Sequence, residues 1–293
     1  MYELTFLAGR SGYLESPAKI GLVRLNEREV CLIDSGGDKD AGRKVRQLLE
    51  KEGWTLSAIY NTHSNADHIG GNRYLQSQTG CRIYAPGMEC DFTNHPVLEP
   101  SLLYGGYPPK ELRHKFLLAQ ESSALPLTPE VLPEALTMIS LPGHFLDMVG
   151  FRTRDDVVYL ADCLSSRETL DKYRIGFIYD VKAYLETLEM VKKLEGAWFV
   201  PAHAAATRDI APLAQYNVDT VHQIAEHLLG LCGEPRSFEE LLQQVFADYQ
   251  LTMTFEQYAL VGSTVRSYLA WLHDTGRMDG FFEDNRLLWR TSH

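Results

Sequence analysis

The sequence predicts a fold of the α+β class, in which β-sheets carry polar loops at their edges and a helical segment follows. Residues 2–7, 19–25 and 29–33 are short apolar runs separated by turn-forming residues, as in an antiparallel sheet. Residues 58–84 pass from a strand pattern through a helix pattern to a second strand pattern, and residues beyond 210 have a helical pattern. The 293 residues are 45% hydrophobic, so they can fill one large core, or one core and a small appendage.

The composition narrows the classes of partner and compartment. A formal net charge of −11 argues against a nucleic-acid backbone or an anionic membrane as the main partner. The five cysteines are odd in number and lack C-x-x-C spacing, which indicates neither a disulfide framework nor a zinc ribbon. The N-terminal residues lack a secretory signal pattern, and no apolar run approaches the roughly 20 residues that span a bilayer. We therefore expect a cytoplasmic protein in a reducing compartment.

The first predicted sheet leads into a polar turn at residues 34–37, with the sequence Asp-Ser-Gly-Gly. A surface helix is predicted over residues 41–51, because apolar positions recur there at helical spacing between charged residues. Two roles are open for Asp34. In one, its carboxylate orients a metal-binding loop from outside the ligand set. In the other, it caps the following helix.

Residues 61–71 place two histidines and a carboxylate within six positions: His63, Asp67 and His68. Positions i and i+5 do not share a helical face, so the segment is predicted to be a loop. A strand-like run at residues 58–60 precedes it, and a helix is predicted to start at Asp67 and to extend to about residue 78. Imidazole and carboxylate groups suit zinc, iron or manganese. The loop is therefore predicted to bind a metal ion.

Residues 88–130 form a long insertion that contains six prolines. This is more irregular chain than a compact domain normally has, and long loops in enzymes are often lids or binding elements. One interpretation is a lid over the metal site, in which some of the residues His95, Tyr104 and Tyr107 contact the substrate. The other is a surface excursion that packs its own aromatic residues.

Three further polar residues follow strand-like runs in the second half of the chain. A strand over residues 136–141 leads to His144, a hairpin over residues 148–161 leads to Asp162, and a strand over residues 197–200 leads to His203. A helix is predicted at about residues 180–195. Strands of a sheet sandwich can bring such distant residues to one edge, where loops usually carry function.

These motifs together resemble the metallo-β-lactamase superfamily. His63, Asp67 and His68 are in register with its motif of a histidine, any residue, a histidine, any residue, aspartate and histidine, but Asn65 stands where the second histidine would be. Four further matches occur in the family's order: residues 34–37, Pro142-Gly143-His144, Tyr159-Leu160-Ala161-Asp162 and Val200-Pro201-Ala202-His203. The resemblance implies a four-layer αβ/βα sandwich over residues 1–210, with the insertion at about residues 88–130.

The resemblance also implies two neighbouring metal sites that share one carboxylate. The ligands would be His68, His203 and Asp67 at one site, His63 and His144 at the other, with Asp162 bridging them. Asn65 offers only a neutral amide oxygen at the second site, which is a much weaker ligand for zinc than imidazole. Three occupancies are open: two metals with one held loosely, a single metal at the first site, or a single iron at the second.

The first functional hypothesis is a metal-dependent hydrolase of a small ester, thioester, lactone or phosphoester, acting through metal-bound hydroxide with one or two zinc ions. Iron or manganese is open in place of zinc. Asp67 or Asp162 would hold the water and accept its proton. The alternatives are a mono-iron oxidoreductase, similar to the persulfide dioxygenases of the superfamily, and an inert metal-binding scaffold.

Residues 211–293 are predicted to form a separate small module. Helices are predicted at residues 213–229, 237–247 and 254–273, followed by a hairpin, which resembles a winged-helix module. From residue 236 onward, five basic residues stand against eight acidic ones, so the charge expected of a nucleic-acid-binding module is missing. We expect the module to pack against the core, to shape a site for a small-molecule substrate, or to form a homodimer contact.

Overall fold

The computed structural model of this chain describes residues 2–292; residues 1 and 293, the outer ends of the two predicted domains, lie outside the described part. The first sheet has seven strands, which lie side by side in chain order. Four of them form an antiparallel meander: β1 (Leu4–Ala8), β2 (Ser11–Leu14), β3 (Ile20–Arg24) and β4 (Glu29–Ile33). Three follow in parallel to β4: β5 (Thr55–Tyr60), β6 (Arg82–Ala85) and β7 (Ala124–Pro126). The antiparallel start predicted from the sequence is confirmed.

Helices cover the outer face of this sheet. They are α1 (Lys39–Glu52) and α3 (Asn72–Thr79), and the short helix α2 (Ala66–Ile69) precedes α3 in the segment after β5. Val45 and Leu49 of α1 and Leu75 of α3 are buried against strand residues such as Leu32 and Ile59. The helix predicted to run from residue 67 to 78 is in fact two helices, because the Gly-Gly pair at 70 and 71 separates them.

The second sheet has four strands: β8 (Leu136–Ser140), β9 (Val149–Thr153), β10 (Val157–Ala161) and β11 (Trp198–Pro201). Their order across the sheet is β11, β10, β9, β8. β9 is antiparallel to both of its neighbours, whereas β11 is parallel to β10. The strands β8, β10 and β11 therefore point in the same direction, and their carboxyl ends meet at one edge.

The two sheets pack face to face. Ile33 and Tyr60 of the first sheet share a buried cluster with Phe151 and Tyr159 of the second. The outer face of the second sheet packs against α7 (Val181–Val191) and α8 (Ala211–Leu231). The short helix α6 (Arg167–Tyr173) contacts α8. The order of layers is helix, sheet, sheet, helix, which confirms the predicted four-layer αβ/βα sandwich.

The insertion after β6 is more regular than predicted. It contains α4 (Glu89–Asn94), α5 (Leu98–Tyr104) and short 3-10 turns at Lys110–Leu112 and Pro129–Val131. Pro100 lies in the first turn of α5, where a helix tolerates proline because the missing N–H has no partner within the helix. The prolines therefore did not exclude helices from this segment.

The C-terminal segment packs onto the same core. It comprises β12 (Arg236–Ser237), α9 (Phe238–Asp248), α10 (Phe255–Asp274), β13 (Met278–Glu283) and β14 (Arg286–Thr291). Ser237 and Glu240 form a capping box at the start of α9. Tyr268 and Leu272 of α10 belong to the buried cluster that also contains Leu188 of α7. The domain boundary at 210 and the winged-helix assignment stay predictions. Among residues 2–292, no helix combines the length and the apolar character needed to cross a bilayer.

Candidate metal centre

The predicted ligands lie at one edge of the two sheets, most of them in loops, and Asp67 and His68 in the short helix α2. They follow the carboxyl ends of strands: His63, Asp67 and His68 after β5, His144 after β8, Asp162 after β10 and His203 after β11. A backbone bridge between Gly36 and Ile69 draws the turn after β4 against this loop. At Gly71, a Cβ atom would lie 2.3 Å from the carbonyl oxygen of Ser35, so only glycine permits this close approach. The edge of the sandwich thus gathers side chains that are far apart in the sequence.

Four of these side chains form what we call the first group: Asp67, His68, Asp162 and His203. The Nε2 atom of His203 lies 3.1 Å from Asp67 Oδ2 and 3.2 Å from Asp162 Oδ2. The Nε2 atom of His68 lies 3.2 Å from Asp162 Oδ1. Each residue in the group offers a nitrogen or oxygen atom within 4.8 Å of the others. This spacing allows one cation to contact all four.

The second group consists of His63, His144 and Asp162. The ring centroids of the two histidines are 5.3 Å apart, and His144 Nε2 lies 3.7 Å from Asp162 Oδ2. Asp162 belongs to both groups, so two cations bound there would share its carboxylate. The partition into two groups is the one that the sequence resemblance implied.

The Nδ1 atom of each of the four histidines has a hydrogen-bond partner outside the groups. The partners are the Thr62 hydroxyl for His63 (2.9 Å), Asp34 for His68 (2.8 Å), the Phe177 carbonyl for His144 (3.0 Å) and the Pro17 carbonyl for His203 (2.9 Å). Such bonds fix the ring orientation and the tautomer of a metal-binding histidine. All four rings therefore direct Nε2 to the shared edge.

Asp34 holds the loop in place. Its Oδ1 atom accepts from the Thr62 backbone N–H at 2.8 Å, and its Oδ2 atom accepts from the Thr62 hydroxyl and from His68 Nδ1, both at 2.8 Å. The hydroxyl of Thr62 in turn accepts from His63 Nδ1, so one carboxylate orients a histidine in each group. The alternative, that Asp34 caps the next helix, is wrong: the cap of α1 is Asp38, which accepts from the Ala41 N–H.

Several buried atoms at this edge have no hydrogen-bond partner among the described residues. They are His63 Nε2, His68 Nε2 and Asp162 Oδ1. His68 Nε2 and Asp162 Oδ1 are 3.2 Å apart but lack the angles of a hydrogen bond. Leaving a buried polar atom unsatisfied costs about 1–3 kcal/mol, and a bound cation would remove this cost. Imidazole nitrogens with carboxylate oxygens are the donor set of zinc, iron and manganese sites, so the residues fit a divalent cation.

Burial and the nearby carboxylates shift the pKa values of the four histidines in opposite directions. Burial alone would lower the pKa of His203, but Asp162 and Asp67 raise it to about 10. Burial likewise opposes the charge on His68, yet Asp162, Asp67 and Asp34 raise its pKa well above the usual value. Burial lowers the pKa of His63 and of His144. Without a cation, protons on His68 and His203 balance the two carboxylates of the first group.

Asn65 faces the second group. Its Oδ1 atom lies 3.1 Å from His144 Nε2, and its Nδ2 atom donates to Glu99 Oε1 at 2.9 Å. The other oxygen of Glu99 accepts from the Ala66 backbone N–H at 3.0 Å. Burial, followed by the charge of Asp67, raises the pKa of Glu99 well above its usual range.

A second buried carboxylate from the insertion supports the same loop. Glu89 accepts hydrogen bonds from the backbone and hydroxyl of Ser64 and from the backbone of Asp147. Burial raises the pKa of Glu89 to about 7. The sequence analysis missed Glu89 and Glu99, because no local pattern distinguishes a glutamate that tertiary packing buries from a solvated one. The insertion thus contacts the metal loop through these carboxylates.

The two tyrosines predicted to contact substrate lie on the surface of the insertion. Tyr104 is 44% exposed and Tyr107 is 73% exposed. Arg113 donates to the Tyr107 hydroxyl at 2.9 Å, and its guanidinium lies over the Tyr107 ring. Their substrate contact stays a prediction.

A four-layer sandwich whose strand ends gather four histidines and two aspartates defines a class of metal-binding proteins. Residues 15–203 match the family model described as the metallo-beta-lactamase superfamily. Because this match covers more than half of the chain, the chain belongs to that superfamily, whose members bind divalent metal ions.

Several curated relatives are named hydroxyacylglutathione hydrolase. The relative from Rhodopseudomonas palustris (strain BisB18) is 44% identical over 155 residues, which cover 46% of this chain and 50% of the relative. The relative from Nitrobacter hamburgensis is 50% identical over 123 residues, which cover 42% of this chain and 39% of the relative. The chain therefore spans half or less of the length of these relatives.

Two solved structures resemble almost the whole chain. A metallo-beta-lactamase family protein from Thermus thermophilus has a TM-score of 0.71 at 17% identity, covering 93% of both chains. A beta-lactamase domain protein from Burkholderia ambifaria has a TM-score of 0.75 at 14% identity, covering 99% of this chain and 95% of that chain. At these identities the likeness is one of fold.

Proposed function

We propose that this chain is a metal-dependent hydrolase that cleaves a thioester of a small molecule. The observation that carries the proposal is the convergence of the first and second groups on the shared carboxylate of Asp162. The relatives support the thioester class, because an acyl group on glutathione is joined to a thiol. We further propose zinc as the cation, since imidazole and carboxylate ligands in sets of three or four are typical of zinc sites.

The residues of the edge have separate tasks in this proposal. His68 and His203 hold a cation with Asp67 and Asp162, while Asp34 fixes the ring of His68. A bound divalent cation lowers the pKa of water to about 7 and polarises a carbonyl oxygen. The side chain of Asp67 is 39% exposed, whereas that of Asp162 is 13% exposed. Asp67 therefore faces the solvent side and accepts a proton from an entering water molecule.

The proposal is tested with protein purified without chelator, whose metal content is measured by elemental analysis before a panel of thioesters, esters, lactones and phosphodiesters is assayed. We expect thioester cleavage that chelation lowers at least about 100-fold, since a metal contributes several kcal/mol to such reactions. His68→Ala is expected to lose both metal and activity. His222→Ala, on the exposed face of α8, is the matched control. Thioester cleavage unaffected by chelation would refute the proposal.

A second candidate is oxygen chemistry on a single iron ion. The second group favours it, because two histidines and one carboxylate are the ligand set of non-haem iron oxygenases. Close to one iron per chain, lost in His63→Ala but kept in His203→Ala, together with oxygen consumption on a persulfide, would select this candidate over the hydrolase. A chain that binds no metal, and that added zinc does not stabilise, would instead be an inert scaffold.

The proposed substrate is a small molecule, and the proposed compartment is the cytoplasm. All five cysteines are buried and unpaired, which suits a reducing compartment. The net charge of −11 disfavours a nucleic-acid or membrane partner.

A further inference from the structure

The amide of Asn65 and the ring of His144 present two acceptors to each other. His144 Nδ1 donates its hydrogen to the Phe177 carbonyl, so the neutral ring carries a lone pair on Nε2. The Oδ1 atom of Asn65, also an acceptor, lies 3.1 Å from that nitrogen. Two lone pairs at this distance repel each other unless both atoms coordinate the same cation. The pair therefore resembles two ligands of one ion.

Glu99 determines which end of the Asn65 amide faces His144. Its Oε2 atom accepts from the Ala66 backbone N–H, which cannot turn away, and its Oε1 atom is left to accept from the Asn65 side chain. Amide orientations are assigned from such hydrogen-bond networks. When Glu99 is ionised, only the amide nitrogen of Asn65 can donate to it, and the amide oxygen then faces His144.

We propose that Glu99 is a positioning residue that makes Asn65 an oxygen ligand of the second group. Asn65 then completes a site of two nitrogens and two oxygens with His63, His144 and Asp162. This site has one carboxylate where the first group has two, so it binds a divalent cation more weakly and fills second. Compared with the same site carrying a third imidazole, a site with an amide oxygen at that position also favours manganese over zinc.

The inference rests on the metal centre of the proposed hydrolase and not on its substrate. It is therefore tested by metal binding alone, with the full chain freed of metal by a chelator that is then removed. Cobalt(II) is the probe, because its visible absorption reports each ligand set, and calorimetry gives both affinities. We expect two binding events per chain, the second at least about tenfold weaker than the first.

Glu99→Gln is the decisive variant. The carbonyl oxygen of the new amide must meet the Ala66 N–H, so its NH2 group faces Asn65 and turns the Asn65 oxygen away from His144. We expect the second cobalt affinity to fall at least about tenfold while the first is unchanged. Glu111→Gln, which removes an exposed carboxylate of the same insertion, is the matched control and is expected to change neither affinity.

Two further variants separate positioning from a general structural effect. In Asn65→Ala no amide remains to be turned, so adding Glu99→Gln is expected to change the second affinity no further. Asn65→His is expected to tighten zinc binding at the second site at least about tenfold, with little gain for manganese. If Glu99→Gln weakens both sites equally, or still weakens the second site in the Asn65→Ala background, the positioning role is refuted.

The outcome is independent of the hydrolase proposal. Two cobalt events with a selective effect of Glu99→Gln support the inference even if the chain cleaves no thioester. A single cobalt event in the wild-type chain, unaltered by Glu99→Gln, refutes the inference even if thioesters are cleaved.

Discussion

Replacing Asp34 with asparagine tests how the metal loop is held. The Asp34 carboxylate accepts from the Thr62 backbone at one oxygen, and from the Thr62 hydroxyl and His68 Nδ1 at the other, each at 2.8 Å. An asparagine must set its NH2 group against one of these positions. If the NH2 group faces the Thr62 backbone N–H, two donors face each other. If it faces His68, the ring must carry its proton on Nε2 instead of Nδ1, and Nε2 can then no longer bind a cation.

We expect Asp34→Asn to weaken zinc binding about 10- to 100-fold, the range found when a group that orients a metal ligand is removed. This range corresponds to about 1.4–2.8 kcal/mol of binding free energy. The metal-free protein is also expected to lose about 1–3 kcal/mol of unfolding free energy, because a buried donor is left without an acceptor. Calorimetric zinc titration and urea unfolding measure the two effects.

The matched control is Asp38→Asn. Asp38 caps α1 by accepting from the Ala41 N–H, and asparagine caps helices about as well as aspartate. We expect this variant to keep the metal affinity of the wild-type chain and to lose no more than about 1 kcal/mol of stability, because it also removes an exposed ion pair with Lys115. A zinc affinity of Asp34→Asn within twofold of the wild type would refute the orienting role.

Three further predictions concern protons and substrate. Cation binding to the first group at pH 7 is expected to release close to two protons, because the pKa of His203 is raised to about 10 and that of His68 is also raised, and both must lose a proton to bind. Calorimetry in buffers of different ionisation enthalpy counts them, and a release near zero contradicts the prediction. In the metal-free chain, the raised pKa of His203 contributes stability that is complete below pH 6.5 and is lost as the pH rises to about 10. The free energy of unfolding, measured by urea with chelator present, is expected to fall between about pH 6 and pH 10. Equal free energies of unfolding at these two pH values would contradict the prediction. If Tyr107 contacts substrate, Tyr107→Ala raises KM; unchanged KM and kcat remove that role.

The residues of the two groups could be picked out from the sequence because each one lies in a local pattern. His63, Asp67 and His68 fall within six residues after an apolar run, and the other three follow runs that can only be strands or buried helices. A residue that directly follows a strand lies at the edge of the sheet, however far it is along the chain from the other residues at that edge. Local pattern placed these residues at strand ends, and the resemblance to the superfamily supplied their division into two groups.

The groups that support the ligands could not be predicted in the same way. Glu99 is 34 residues from Asn65 along the chain, in a segment whose prolines suggested irregular structure. Its role depends on burial, which is a property of the packed insertion and not of its own neighbours in sequence. The role of Asp34 was left open because carboxylates near a helix start often cap it. Asp38 directly precedes the first residue of α1, so it was in a better position than Asp34 to cap that helix.

Some elements were missed because they are short and lack a clear period. The strand β2 contains Gly12, and β7 has three residues and ends at Pro126, so neither gives a strong alternation. Both lie in the first sheet, where hydrogen bonding to their neighbours defines them. In contrast, α9 was predicted within one residue, because the capping box of Ser237 and Glu240 is a local signal.

The backbone next to the shared ligand provides a last test of the two-group arrangement. Ala161 precedes Asp162 and has a φ of 49°, a left-handed conformation that costs a residue with a Cβ atom about 1–2 kcal/mol. Its carbonyl accepts from the Ala202 N–H at 2.9 Å, which ties the end of β10 to the loop that carries His203. This contact offsets part of the strain and fixes the direction in which Asp162 leaves the strand.

Ala161→Val is expected to destabilise the chain by about 2 kcal/mol or more, because a β-branched residue is poorly tolerated in this conformation. Ala161→Gly is the matched control, expected to stay within about 1 kcal/mol of the wild type because relief of strain offsets the greater freedom of the unfolded chain. Urea unfolding and cobalt titration measure both variants. Asp162 serves both groups, so Ala161→Val should weaken both cobalt events, whereas Glu99→Gln should weaken only the second. If Ala161→Val weakens one event and spares the other, the carboxylate of Asp162 is not shared.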